Sequence, residues 1–291
     1  MGSPHIPTPS TRRRAEGQKR RRRRKRKLTV LERLWLKVAT IGASLLLAVF
    51  ISAVLLLILS RSPPETFLAS LRSEEIRFAI GLSLKTSIAS TILCILGAVP
   101  AAYALARYDF LGKRAVSTLL DMPLALPPLV AGVGLLLFFG TTPLGRGLAE
   151  AGLVFVFTPL GIVIAQFFVN VPFMLRVMRS TFEGISPRYE HVAKTLGCTD
   201  AQAIWRVTLP MASNGLLAGS IITWSKAIGE FGAVLMLAGA TRMRTETLPV
   251  SLFLNMSCGK LDEAISAATI LILISVVSLY VFERRVGGFR L

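Results

Sequence analysis

Apolar residues gather into six long runs separated by shorter polar stretches. Val38–Leu59 is the cleanest and contains no charged residue. Ala79–Ala106 follows with Lys85 and Pro100 inside it, and Val116–Gly140 is interrupted by Pro123, Pro127 and Pro128. Phe155–Val177 holds Pro159 and Pro172, Leu216–Ala238 carries Lys226 and Glu230, and Ala264–Phe282 is the last. A helical crossing takes about 20 apolar residues. A bilayer admits only segments that satisfy their own backbone hydrogen bonds. The pattern therefore predicts an all-α membrane protein with six transmembrane helices.

Composition agrees: 53% of the 291 residues are hydrophobic and 17% are charged, with a mean hydropathy of +0.61, which excludes a disordered chain, a collagen and a disulfide scaffold. The net charge of +18 is unevenly placed. Residues 1–37 hold 14 of the 34 Lys and Arg against two acids, Glu16 and Glu32. With the N-terminus inside, the inner segments carry 25 Lys and Arg and the outer loops seven. The positive-inside rule then places both termini in the cytoplasm. Val38–Leu59 is too long for a signal-peptide core and lacks a small-residue cleavage site, so it is expected to remain as the first helix. Residues 1–37 form a basic cytoplasmic arm, and 1–27 lack the apolar content to fold. The run Arg20–Lys27 orients the chain and suits anionic headgroups. A nucleic-acid partner is unlike this run, because no aromatic residue is interleaved.

The motifs of catalysis are missing. Gly112-Lys113 and Gly259-Lys260 have neither the upstream glycine nor the following hydroxyl of a phosphate-binding loop, and no G-x-S-x-G or H-E-x-x-H occurs. The two histidines, His5 and His191, and the scattered Cys94, Cys198 and Cys258 offer no metal spacing. No cofactor is expected on this chain. Any uphill work would need its energy supplied by another chain.

The segment Ser186–Pro210 reads as two short helices with a hinge. Ser186 suits an N-cap with Pro187 in the first turn, and Gly197 suits a left-handed helix end. Thr199 and Gln202 have capping-box spacing, and Pro210 is expected to stop the second helix by forcing Leu209 out of the helical region. Tyr189, Val192, Ala193 and Leu196 form an apolar stripe. An exposed stripe of this kind marks a partner. The plainer alternative is a loop folded back on its own helices.

This segment resembles the cytoplasmic signature of ABC importer permeases, E-A-A-x3-G-x9-I-x-L-P. Gly197 is followed after nine residues by Val207, Thr208, Leu209 and Pro210 in the family's register. His191, Val192 and Ala193 stand at the E-A-A positions, and only Ala193 is kept. Glu190 lies one position early, on a different helical face. The departure bears on one polar contact and not on docking. The resemblance spreads over residues 78–282. Gly81–Ser87 and Pro100–Arg107 are similar to the opening of the permease domain, and Leu126–Gly132 and Ala227–Ala233 are similar to the molybdate and sulfate branch. Asn255–Ala264 favours molybdate or tungstate over sulfate or thiosulfate.

The resemblance implies a permease core over 78–282 with an ATPase-coupling loop at 179–210 and a short cytoplasmic tail at 283–291. It implies an ABC ATPase subunit, an extracytoplasmic substrate-binding protein and a homodimer as partners. The basic arm has no counterpart in the family. A membrane-anchored module that binds acidic lipid or nucleic acid through the arm is the alternative from another class.

Polar residues inside the spans are costly and need partners. Lys226 and Glu230, four apart, would share a helix face, either as a pathway element with Pro127 and Pro128 or as a neutralised strut. Gln166 and Asn170 suit glue between helices better than substrate ligands, and Lys85 is expected to snorkel. Trp224 and Phe231 suit packing.

Overall fold

The computed structural model describes residues 9–61 and 64–286; side chains are described from residue 34 onward, except at Pro64 and a few positions beyond residue 278. Among the described residues every regular element is helical. The chain divides into residues 1–59 and 60–291.

The described residues of the first unit belong to one helix, α1 (Pro9–Ser60), whose stretch Leu34–Ser60 is long and apolar enough to cross a membrane. Disorder was the expectation for residues 1–27, and the structure differs by carrying the helix back through the basic run to Pro9. Arg, Lys, Leu and Glu are strong helix formers, and extending a formed helix avoids a new nucleus. Residues 1–8 lie outside the described residues.

The second unit starts with a short helix, α2 (Pro64–Arg72), and a long one, α3 (Glu74–Arg107). Ser73 caps α3 by accepting from the Ile76 N–H at 3.2 Å, with Glu74 and Glu75 in the first turn where the helix dipole favours them. Next come α4 (Lys113–Asp121), a 3-10 turn (Met122–Leu124), α5 (Pro128–Thr141), α6 (Pro143–Glu150) and α7 (Pro159–Gly184). Then follow α8 (Arg188–Thr195), α9 (Asp200–Ala203), a π-turn (Ile204–Thr208), α10 (Leu209–Met211) and α11 (Ser213–Ile228). The last three helices are α12 (Gly232–Ala238), α13 (Leu248–Ser257) and α14 (Leu261–Val286).

Among the described residues, and including α1, four helices are long and apolar enough to cross a membrane unbroken, and two bent pairs bring the number to as many as six when each pair counts as one. The run Val116–Gly140 folds by 110° where Pro127 and Pro128 start α5. The run Leu216–Ala238 bends by 60° between α11 and α12. The stretch 283–291, expected as tail, continues α14 to Val286, and the remainder lies outside the described residues.

Helix α3 turns small and polar residues inward and large apolar ones outward, as close association in lipid favours. On α3, Ser83, Ser87, Ser90, Cys94, Ala98 and Ala102 are buried, whereas Ile88, Ile92 and Leu96 are at least half exposed. The buried hydroxyls of Thr86, Ser87 and Thr91 donate to carbonyls of the preceding turn, so they cost little in an apolar core. Helix α7 packs along α3 through Met174, Leu175, Met178 and Phe182. Against α11, a Cβ at Gly219 would sit 2.7 Å from Met174 Sδ, so glycine permits the approach.

Candidate functional site

The Ser186–Pro210 segment projects at the end of the body where α3 and α7 finish and α11 begins, called here the knob end. Gly197 has φ +93° with nothing within 4 Å of a built Cβ, so backbone conformation and not space demands glycine. The Thr199–Gln202 capping box forms in both directions, at 3.3 and 3.0 Å, and Lys194 and Asp200 pair across the hinge. Pro187 occupies the cap of α8 without a side-chain bond, and Ser186 Oγ takes the Arg188 N–H at 3.4 Å.

The stop expected at Pro210 is not found. Leu209 is helical (φ −65°, ψ −44°), and the chain runs on through α10 toward α11. The cause is the π-turn, in which the Leu209 N–H reaches back five residues to the Ile204 carbonyl. The wider ring moves aside the carbonyl that a proline ring would strike and absorbs the missing N–H.

The knob presents an apolar face: Leu196 is 81% exposed, Trp205 72%, Val192 57% and Tyr189 53%. This is not a loop folded back on its own helices. Ala193, expected on the same stripe, is buried at 7% and does not join the exposed face. His191 is exposed, Val207 and Leu209 are half-buried, and Pro210 is exposed. Leu209 packs against the α3–α7 core. Sequence periodicity misses Trp205, which lies beyond the hinge and out of phase with α8.

Glu190 faces the opposite way and is 6% exposed. Its Oε2 accepts from the Tyr103 hydroxyl at 2.8 Å, and its Oε1 accepts from Arg107 Nε and from the Thr208 hydroxyl, each at 2.9 Å. Arg107 also donates through Nη2 to the Ile185 carbonyl at 2.8 Å. Burial alone would push the Glu190 carboxyl up, but the bonds from Tyr103, Thr208 and Arg107 outweigh it and hold the group below its ordinary value. One carboxylate thus ties α8, the π-turn and the end of α3 together. No short-range pattern marks this, because the partners lie 83 and 87 residues away.

The two bent spans meet at their bends. A Cβ on Gly232 would approach Pro128 Cβ at 3.0 Å, and one on Gly132 would approach Met236 Cβ at 2.7 Å. Pro127 caps α5 and Pro128 is its first residue, both exposed. Lys226 and Glu230 do not share a helix face, because α11 ends at Ile228 and Gly229 separates them. Glu230 Oε1 accepts from the Ala233 N–H at 3.1 Å and so caps α12. Lys226 Nζ lies 4.2 Å from the Phe173 ring centroid, a cation–π contact. A neutralised strut is therefore not what the pair makes. Gln166 donates to the Ala227 carbonyl beside the bend at 2.9 Å, which is glue between α7 and α11. Asn170 donates to the Gln166 carbonyl of its own helix at 2.7 Å. Lys85 is exposed.

At the opposite end, Arg242 in the turn between α12 and α13 donates to Glu75 Oε2 at 2.7 Å and to Asn255 Oδ1 at 2.9 Å. Glu246, fully buried, lies 3.5 Å from Arg242 through Oε1 and accepts from the Met243 N–H through Oε2 at 3.2 Å. Ser83 Oγ accepts from the Leu248 N–H at 2.8 Å. Among the described residues no group of acids, histidines and cysteines could hold a metal ion.

A family model described as the binding-protein-dependent transport system inner membrane component matches residues 95–287. The chain is 36% identical over 228 residues to the molybdenum transport system permease protein ModB of Mycobacterium bovis, covering 78% of this chain and 86% of that protein. It is 34% identical over 227 residues to the sulfate transport system permease protein CysW of Synechocystis sp., covering 77% and 82%. In fold it is similar to a chain from a bacterial ABC transporter involved in the import of the acidic polysaccharide alginate, with a TM-score of 0.68 over 91% of this chain and 100% of that one, at 18% identity. With several apolar helices long enough to span a membrane and the knob in the signature's register, the chain belongs to the binding-protein-dependent transport system inner membrane component family, as a multi-pass permease of the cell membrane.

Proposed function

We propose that the chain is the membrane subunit of an ATP-driven importer of a tetrahedral oxyanion, molybdate or tungstate. The exposed apolar face of Tyr189, Val192, Leu196 and Trp205 carries this reading, because it lies on the segment that keeps the spacing of the permease signature. Such a face, held on a rigid two-helix knob, suits a groove in a separate ATPase subunit. The similarity to a molybdenum permease supports the anion class, and the similarity to a sulfate permease supports sulfate as the second reading. The working unit has two copies of the chain, two ATPase subunits and an extracytoplasmic binding protein that supplies selectivity. Both termini and the knob lie in the cytoplasm, in accord with the Lys and Arg distribution.

ATP-driven closure of the partner would displace the knob as a rigid body. The displacement would swing α5, α7, α11 and α12 between inward and outward access, a two-state switch. The bends at Pro127–Pro128 and at Gly229–Glu230 lie at one level of the body and suit the place where the passage opens. Vesicles reconstituted with the ATPase and binding protein, given molybdate, tungstate or sulfate in turn, test the reading. ATPase stimulation by molybdate or tungstate, accompanied by uptake, is the expected result; stimulation by sulfate alone selects the second reading. Gly197→Pro should insert normally yet uncouple hydrolysis from uptake, because proline cannot adopt φ +93°. Coupling like that of the unaltered protein would count against the docking role of the knob.

A further inference from the structure

Helix α3 reaches from one end of the body to the other, about 51 Å for its 34 residues. At the knob end it has no covalent link to the knob. Displacement of α8 passes along the backbone into α7 on one side and, through the π-turn and α10, into α11 on the other. It reaches α3 through side chains, and Glu190 gathers the polar ones: Tyr103 and Arg107 from α3, Thr208 from the π-turn. Arg107 closes the arrangement by holding the Ile185 carbonyl between α7 and α8. Both charges of the pair are nearly out of solvent, at 8% side-chain exposure each. A pair so enclosed holds one geometry and does not slip. The apolar docking face lies on the other side of α8, so a partner gripping it leaves Glu190 undisturbed.

At its far end α3 is tied again. Glu75 accepts from Arg242, and Ser83 accepts from the Leu248 N–H at the start of α13. Between the two ends runs a single helix with Pro100 as its one internal break in the hydrogen-bond ladder.

We propose that Glu190 is a positioning residue for transport: it locks α3 to the knob, so that α3 moves with the knob as a rod and carries the displacement to the Arg242 turn at the opposite end. The proposal rests on the reading of the knob as an ATPase dock. It adds that docking alone is insufficient without the Glu190 joint. Neither the apolar face nor the spacing Gly197-x9-Val207 contains Glu190, so dock and joint can be altered separately.

The test uses the complete complex of permease, ATPase and binding protein in vesicles, with molybdate as the transported probe. Glu190→Gln keeps the shape of the side chain and removes its charge. The double variant Tyr103→Phe, Thr208→Val removes two donors, leaves the Arg107–Glu190 pair in place and supplies a second route should Glu190→Gln fold poorly. Three quantities are read: ATPase subunit retained on purification, ATP hydrolysed, and molybdate taken up per ATP. With the joint acting as proposed, ATPase retention and hydrolysis stay near the unaltered level while uptake per ATP falls. The fall is about tenfold for Glu190→Gln, the factor expected from one hydrogen bond to a charged group. A purely structural role would lower retention, hydrolysis and uptake in step and leave the ratio unchanged. An unchanged ratio in both variants with ATPase retained overturns the joint and leaves the dock standing. Loss of ATPase retention in Leu196→Asp supports the dock, and ATPase retained at the unaltered level in that variant overturns the dock without reference to Glu190.

Discussion

Helix α3 is held at its two ends by arginine–glutamate contacts of the same chemistry and different burial. At the knob end, Arg107 and Glu190 meet at 2.9 Å with 8% of each side chain exposed, and the carboxylate takes two further hydroxyl donors. At the other end, Arg242 and Glu75 meet at 2.7 Å with 31% and 46% exposed. Distance alone would rank the second pair higher. Burial reverses the order, because charges removed from water depend wholly on one another, whereas half-exposed charges can exchange partner for solvent. The Arg107–Glu190 contact is thus a fixed joint and the Arg242–Glu75 contact an adjustable one. The lever proposed for α3 requires the first property at its knob end.

Glu190→Ala should separate the two ends most. It leaves Arg107 buried without a counter-charge, at a cost of about 3–5 kcal/mol. Loss of amide protection over residues 185–210 in hydrogen exchange, with the α13 region unchanged, is the expected signature. Thr208→Val removes one hydroxyl donor from the same carboxylate and should cost about 1.5–3 kcal/mol, read by the same exchange experiment. Equal protection in both proteins would mean that the π-turn is held by its backbone alone.

Acid provides a milder route. The Glu190 carboxyl lies below its ordinary value in the folded protein, so it binds a proton more readily when the knob is unfolded. Its contribution is therefore complete above the ordinary carboxylate range near 4.5 and is lost as pH falls through the lower folded value. Protection of the knob should stay level from neutrality down to that range and weaken only below it. Weakening that begins at higher pH would point to another group.

The smallest effect belongs to the far end. Glu75→Gln should cost about 0.2–1 kcal/mol, and less in concentrated salt, where charges are screened over about 3 Å at 1 M. Thermal unfolding in low and high salt reads the difference. A salt-insensitive loss above that range would show that the far joint is as rigid as the near one.

Runs of about 20 apolar residues, the hinge glycine and the capping box were legible in the chain because each depends on neighbours within a few positions. Gly197 and the Thr199–Gln202 box appear where their spacing placed them. The exposure of Tyr189, Val192 and Leu196 follows from an apolar stripe on a segment outside the spans. Local rules misjudged Pro210, since a π-turn accommodates it, and the Lys226–Glu230 face, since α11 ends between them. Trp205 joined the apolar face across a hinge that periodicity does not follow.

What the sequence determined by itself is the set of spans and the hinged knob, because hydropathy and backbone conformation act over a turn or two of helix. What only the tertiary structure decided is which charges meet. Glu190 finds Tyr103 and Arg107, and Arg242 finds Glu75, across separations of 83 to 167 residues. Those pairings exist because α3 packs against α7 and α11 in one arrangement, and that arrangement is set by the fit of many small side chains together, which no single stretch of chain specifies.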